Sequence, residues 1–341
     1  MNKIYINSIK QISAQQPLVE DWFEHPIFYS EPYVRAIEPD YKLFFTPNEA
    51  RRFGKILKRA LLVSRQAMAE SGITLPDAII TGTGLGCIES TEIFLDKLVR
   101  DGEEFLNPTH FMQSTHNTIG SLIAIDTKCH AYNSTYAHKG ISFECALQDA
   151  FLQLRRGVAN SALIGAHDEM TLNYFNLLNK AGYFGKPKQT FASETAVAMM
   201  LSAEKSEKTL CEVVDIGKVY TGGKKLEKIE ITELERKDID YIMVGVNGNS
   251  ETDKIYFENC TKLFPHIPLL QYKNIFGEHY TVPALGVYAA AICLQRGKIP
   301  EHLKITNNEL DITNKNINKI LCYNQFENKN HTFILLSKVN L

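Results

Sequence analysis

Apolar and polar positions along the chain fall into two alternating periods, one near two residues and one near three and a half. Lys3 to Ser13 alternates well enough to predict a strand. "PNEARRFGKILKRALLVSRQAMAESG" carries apolar residues at helical spacing, begins after Pro47 and stops at Gly72, which predicts one amphipathic helix. "DAIITGTGLGC" reads as a buried strand running into a Gly-rich turn, "STEIFLDKLVRDGEE" as a helix, and "STHNTIGSLIAIDTKCH" as containing another. "YNSTYA" is a short β-rich run before a turn at Gly140. From about Ile141 to Arg156 the chain is apolar on most sides, through Phe143, Cys145, Leu147, Phe151, Leu152 and Leu154, so this helix is expected to be buried all round. Arg155 and Arg156 sit where the helix dipole favours cations, and Gly157 suits the residue after the last turn. "SALIGAHDE" and "ETAVAMMLSAE" are the next strands.

The charged stretch "EKSEKTL" marks a boundary near residue 207, and a second set of elements follows. "CEVVDIGKVYTG" and "DYIMVGVNG" read as strands. "PHIPLLQY" precedes the helix "VPALGVYAAAICLQRG", and "KILCYNQFENKNHTFILLSKV" closes as a hairpin. Each set places a strand and a turn before helices and ends in an antiparallel pair. The prediction is an α/β protein of two similar halves, 1–206 and a shortened 207–341, alike in pattern and not in residue identity.

The length, 341 residues, suits such a duplicated unit, and 44% hydrophobic with 22% charged residues suits a globular core that needs no staple. A net charge of −2 without like-charge runs argues against a nucleic-acid groove or an anionic-membrane patch. Seven cysteines with no C-x-x-C give no disulfide framework or zinc knuckle. No apolar stretch reaches ~18 residues, and the N-terminus reads as a strand, so no membrane span or signal peptide is expected and the cytoplasm is the default location. "GTGLG" lacks the spacing of a dinucleotide loop, and His130, His167 and Asp168 lack metal-ligand spacing. No cofactor and no metal are expected.

A strand, a sharp turn and a buried helix, "NSTYAHKGISFECALQDAFLQLRRG", is how several enzyme classes present a nucleophile. The residue at this turn is Gly140, which has no side chain. The order of elements in 75–205, with "TGTGLG", "STHNTIGSLIA" and "GVANSALIGAHDE", resembles the ketosynthase branch of the thiolase-fold enzymes, which condense acyl thioesters with malonyl-carrier protein. The resemblance implies a layered αβαβα fold. It also implies a Cys at the N-terminus of the buried helix, where helix-end charge favours a thiolate. Counting without gaps from either side puts that Cys on Gly140.

The second half, by the same resemblance, should supply two histidines. Where the family has a motif like "HGTGTPxGD", this chain has "NGNSETD", with Asn247 in place of the first. Where the family has "KSxxGHxxGAAG", this chain has "KNIFGEHYTVPALG". Lys273 and Gly277 match, Glu278 follows, and His279 comes one place later in a loop two residues longer. The loop "GFGGxN" is similar to "QFENKN", where Phe326 and Asn330 match. Glu327 and Asn328 replace both glycines, a change expected to remove Gly-dependent backbone geometry.

Gly140, Asn247 and His279 are thus the degenerate triad positions, and His138, Lys273, Glu278, Phe326 and Asn330 are the candidate substrate-binding residues. Cys145 reads as a small core residue, since it lies roughly 140° round the helix from Gly140. Ser142 reads as a cap, with a hydroxyl nucleophile beside His138 as the alternative, and His138 as a packed or interface histidine or a pocket residue. Glu278 and His279 divide between a surface pair and a pocket replacement. The leading expectation is a non-catalytic subunit resembling the chain-length factors of aryl polyene and type II polyketide systems. Its partners would be a Cys-bearing ketosynthase and an acyl carrier protein. The alternatives are an acyl-thioester-processing enzyme using residues such as His279, and a homodimer that binds acyl groups or carrier protein.

Overall fold

The computed structural model describes residues 1–104, 106, 108–184, 190–227, 239–305 and 316–339. Its strands are β1 (Ile4–Ile12), β2 (Ala78–Gly82), β3 (Tyr132–Tyr136), β4 (Ser161–Asp168), β5 (Thr195–Ser202), β6 (Cys211–Tyr220), β7 (Tyr241–Val244), β8 (Leu269–Gln271), β9 (Lys319–Phe326) and β10 (Asn330–Ser337). Its helices are α1 (Pro47–Arg52), α2 (Lys55–Ser71), α3 (Ile88–Asp101), α4 (Pro108–Gln113), α5 (Thr118–Thr127), α6 (Ser142–Arg155), α7 (Leu172–Lys180), α8 (Ser250–Leu263), α9 (Lys273–Phe276) and α10 (Pro283–Arg296).

The strands join in the order β3-β2-β4-β5-β1-β6-β10-β9-β7-β8. Read inward from its two edges, the sheet is one pattern used twice: β3-β2-β4-β5-β1 and β8-β7-β9-β10-β6. The pairings repeat as well. β2 runs parallel to β3 and β4, as β7 does to β8 and β9, and the remaining pairs in each half are antiparallel. Within the sheet the two patterns join where Ile4–Ile6 of β1 pairs antiparallel with Cys211–Val213 of β6. β5 ends at Ser202 and β6 begins at Cys211.

β5 shows why the strands are continuous apolar runs. Val197, Met199 and Leu201 face one core cluster, while Ala196, Ala198 and Met200 face another, so both sides are covered. α6 and α10 pack against each other between the two half-sheets. Outside the first half, α2 lies on β1, β4 and β5. Outside the second, Tyr256, Cys260 and Leu263 of α8 pack with β7 and β9. These are the five layers αβαβα. In α10 every residue from Pro283 to Leu294 is buried, as its position between sheets requires.

Two local expectations are corrected. The helix predicted from Pro47 to Gly72 is two, because Phe53 is extended and Gly54, a poor helix interior residue, becomes the N-cap of α2. α1 is closed at its start by a Thr46–Glu49 capping box. α6 is not buried all round, since Leu152 is exposed, whereas Glu144 is fully buried.

Candidate functional site

The turn that the first half presents is built from backbone and one hydroxyl. β3 ends at Tyr136, and Lys139–Ile141 forms a 3-10 turn leading into α6. Ser142 Oγ accepts from the His138 N–H at 2.8 Å and donates to the Lys139 carbonyl at 2.7 Å. It therefore staples the turn, and the N-cap of α6 is Ile141. β2 approaches this helix start so closely that a Cβ on Gly82 would lie 2.6 Å from the Ser142 carbonyl oxygen.

Gly140 is buried, and its missing side chain is replaced by a neighbour. A Cβ there would lie 2.3 Å from Cδ2 and 2.8 Å from Cγ of Phe326. Phe326 ends β9, and its ring also meets Tyr280, centroid to centroid 6.0 Å. Asn324, two residues earlier on the same strand, donates to the Gly140 carbonyl at 2.9 Å and to Glu144 Oε1 at 2.6 Å. Thr332 of β10 donates to that same oxygen. Burial pushes the Glu144 carboxyl up to about 7, even though these bonds pull the other way.

The second half brings a charged cluster to the same place. Asn247, just past β7, donates through Nδ2 to Glu278 Oε2 at 2.8 Å, and Lys273 Nζ lies 2.8 Å from that oxygen. Both members of the ion pair are buried. The Asn247 and Gly248 amides are held by the Asp253 carboxylate in the first turn of α8. Glu278 is fixed by its backbone, which bridges to Phe191 and Ser193. Gly277 has φ 77°, and a Cβ there would lie 2.6 Å from Ser193, so this tight crossing requires glycine. His279 is also buried. Neither ring nitrogen has a hydrogen-bond partner among the described residues, and burial, helped by the Lys273 charge, pushes the imidazole down to about 3.

Gly140, Asn247, Lys273, Glu278, His279 and Phe326 all line one cavity of about 150 Å³. His138 and Asn330 are not among its lining residues. His138 is exposed beside Tyr136, and Asn330 begins β10 opposite Phe326. Cys145 is buried, with Sγ 3.4 Å from Lys218 Nζ. The loop after Phe326 keeps left-handed backbone without glycine: Glu327 has φ 55° and Asn328 φ 52°. The expected loss of that geometry is therefore corrected. Asn328 tolerates it well, and its N–H donates to Gln325 Oε1 at 2.8 Å.

The Gly-rich turn at 83–86 is filled from within the chain. Asp168 Oδ1 accepts from Thr83 Oγ1 and from the Gly84 and Leu85 amides at 2.8–2.9 Å, the donors a phosphate would use. A Cβ on Gly84 would collide with Tyr280 at 2.4 Å. Among the described residues no group of three or more His, Cys, Asp or Glu side chains could hold a metal ion.

A family model described as "Beta-ketoacyl synthase, N-terminal domain" matches residues 38–236. The chain belongs to the beta-ketoacyl synthase family. No curated protein sequence matches it. Among solved structures, it is similar to the ishigamide ketosynthase/chain length factor, with TM-score 0.84 and 15% identity over 99% of this chain and 100% of the other. A beta-ketoacyl synthase from Burkholderia phymatum STM815 gives TM-score 0.82 and 13% identity over the full length of both chains. The ketosynthase ApeO in complex with its chain length factor ApeC, from Xenorhabdus doucetiae, gives 0.77 and 12% over 99% and 98%. At these identities the likeness establishes the ketosynthase fold.

Within that fold, three contributors escaped sequence reasoning. Asn324 and Glu144 couple the turn at Gly140 to the final hairpin, and Tyr280 closes the cavity against Gly84. Only Glu144 left a signal, a lone carboxylate inside an otherwise apolar helix segment.

Proposed function

We propose that this protein is a non-catalytic ketosynthase-like subunit of the chain-length-factor type. It pairs with a Cys-bearing beta-ketoacyl synthase and works with an acyl carrier protein in cytoplasmic polyene, polyketide or fatty-acid-like biosynthesis. One observation carries the reading. The space a nucleophile's side chain would take at residue 140 is filled by the Phe326 ring. Asn247 and Glu278, which sit in the cavity beside it, offer an amide and an ion-paired carboxylate where the family has imidazoles.

A partner is supported by what the first half leaves uncovered. β3 is an edge strand with exposed residues, and α3 and α4 bury no residue while presenting Leu95, Val99, Phe111 and Met112 to solvent. Obligate interfaces bury roughly 2,000 Å² or more of such surface. The similar Xenorhabdus structure is of a ketosynthase in complex with its chain length factor. A cavity of about 150 Å³ is also too small for a growing chain, which then must be housed mainly against the partner.

The test is co-expression with Cys-bearing ketosynthases, followed by intact-protein mass after incubation with an acyl-carrier-protein thioester. A one-to-one complex acylated only on the partner is expected. A stable lone monomer that ignores such partners, or an acyl adduct on this chain, overturns the reading. His279 favours one second reading, in which the neutral, cavity-lining imidazole acts as base in acyl transfer or hydrolysis. Loss of thioester turnover in His279→Ala would then be seen.

A further inference from the structure

Lys273 and Asn247 together form a carboxylate receptor. One brings an ammonium and the other an amide N–H, both at 2.8 Å from a single oxygen, and the ammonium is buried. The carboxylate they hold belongs to the chain itself, at Glu278. His279, which also lines the cavity, is uncharged, so it supplies no second cation. A further carboxylate entering this space would meet Glu278 with the Lys273 charge already engaged. Like charges brought together out of water are strongly disfavoured. An uncharged acyl group meets no such barrier. Two donors without partners among the described residues are available for its carbonyl: Gln325 Nε2 and the single N–H of the neutral His279 ring. Gln325 and His279 both line the cavity. A volume of about 150 Å³ is the size that holds one six-membered ring, ample for a short acyl group.

We propose that Glu278 is a specificity-determining residue: its carboxylate occupies the receptor formed by Lys273 and Asn247, so the cavity admits short uncharged acyl groups and excludes those ending in a carboxylate. This rests on the acyl-thioester setting proposed above and adds the class of group that enters.

The full-length chain, or its complex, is titrated with acetyl-pantetheine and malonyl-pantetheine by saturation-transfer NMR. Wild type is expected to prefer the acetyl form by about tenfold or more. In Glu278→Gln, which keeps shape but frees the Lys273 charge, that preference should collapse or reverse toward malonyl. A Lys273→Met/Glu278→Gln double variant, lacking the receptor's charge, should not gain malonyl binding. Equal binding of both ligands by wild type, binding of neither, or an unchanged preference in Glu278→Gln overturns the proposal. If Glu278→Gln does not fold, the wild-type preference and the double variant still decide. Covalent capture or hydrolysis of either ligand would sink the non-catalytic reading, whereas the acetyl-to-malonyl ratio reads on Glu278 alone.

Discussion

Restoring a cysteine at residue 140 is the direct way to ask whether the site is merely missing its nucleophile. The Phe326 ring stands in the way of any side chain there. In Gly140→Cys the new Cβ would lie 2.3 Å from Phe326 Cδ2, against the ~3.5 Å at which carbon atoms normally rest, so about 1.2 Å must be found. Gly140 does not have a left-handed backbone, so the obstacle is the ring and not the main chain. The ring is confined in turn by Tyr280, which packs on Gly84. Overpacking of this kind costs ~1–3 kcal/mol. With an unfolding entropy of ~2.1 cal/mol/K per residue, 341 residues give ~0.7 kcal/mol/K, so 2–3 kcal/mol lowers Tm by about 3–4 °C.

Two assays read the outcome. Thermal and denaturant unfolding give the loss of stability. Iodoacetamide labelling gives the reactivity of the new thiol against a low background, because all seven native cysteines are buried. Gly140→Cys should be destabilised and should acquire no acyl group from a carrier-protein thioester. Adding Phe326→Ala should recover part of the loss and expose the thiol, with a coupling of ~1–2 kcal/mol in the double-mutant cycle. A Gly140→Cys variant as stable as wild type, labelled rapidly and acylated, would refute the reasoning. The site would then be an intact one lacking a single atom group.

Lys273→Met leaves the buried Glu278 carboxylate unpaired and should cost ~3–5 kcal/mol, most of it regained in Lys273→Met/Glu278→Gln, as read by denaturant unfolding. Glu327→Gly should raise stability by up to ~1 kcal/mol, because a φ of 55° is strained for Glu and free for glycine. Glu144→Gln tests the buried carboxyl. Its pKa rises from 4.5 unfolded to about 7 folded, so the native state holds the extra proton between those values and stability falls as pH rises through that window. The variant should match wild type near pH 4 and exceed it by up to ~3 kcal/mol at pH 8. His167 and His279 titrate the other way in the folded state, so the variant-minus-wild-type difference is the quantity to plot.

The layers of this fold were legible because burial on both faces leaves a plain mark. A strand such as β5, covered on both sides, can use only apolar or small residues, and α10 obeys the same restriction around its whole circumference. The break at Phe53–Gly54 was hidden, since apolar spacing continues across it while one glycine redirects the backbone. The site divides along the same line. A vacancy at Gly140 is visible in one letter, but its tenant is not. Phe326 lies 186 positions away and reaches the turn only because β9 runs past it, a contact of topology that no local pattern encodes. Glu278 and His279 show the limit more sharply. Adjacent in sequence and both buried, they differ in kind: one is ion-paired, the other neutral and without a hydrogen-bond partner among the described residues. What separates them is the direction each side chain takes after Gly277, and that direction is set by the backbone bridge to Phe191 and Ser193 from the other half. A reading that compares residue types at motif positions sees a lost histidine with a spare one beside it. The structure instead sets Glu278 against Lys273 and Asn247 and packs the Phe326 ring against Gly140, and the Asn247 and Phe326 contacts join segments far apart in the chain.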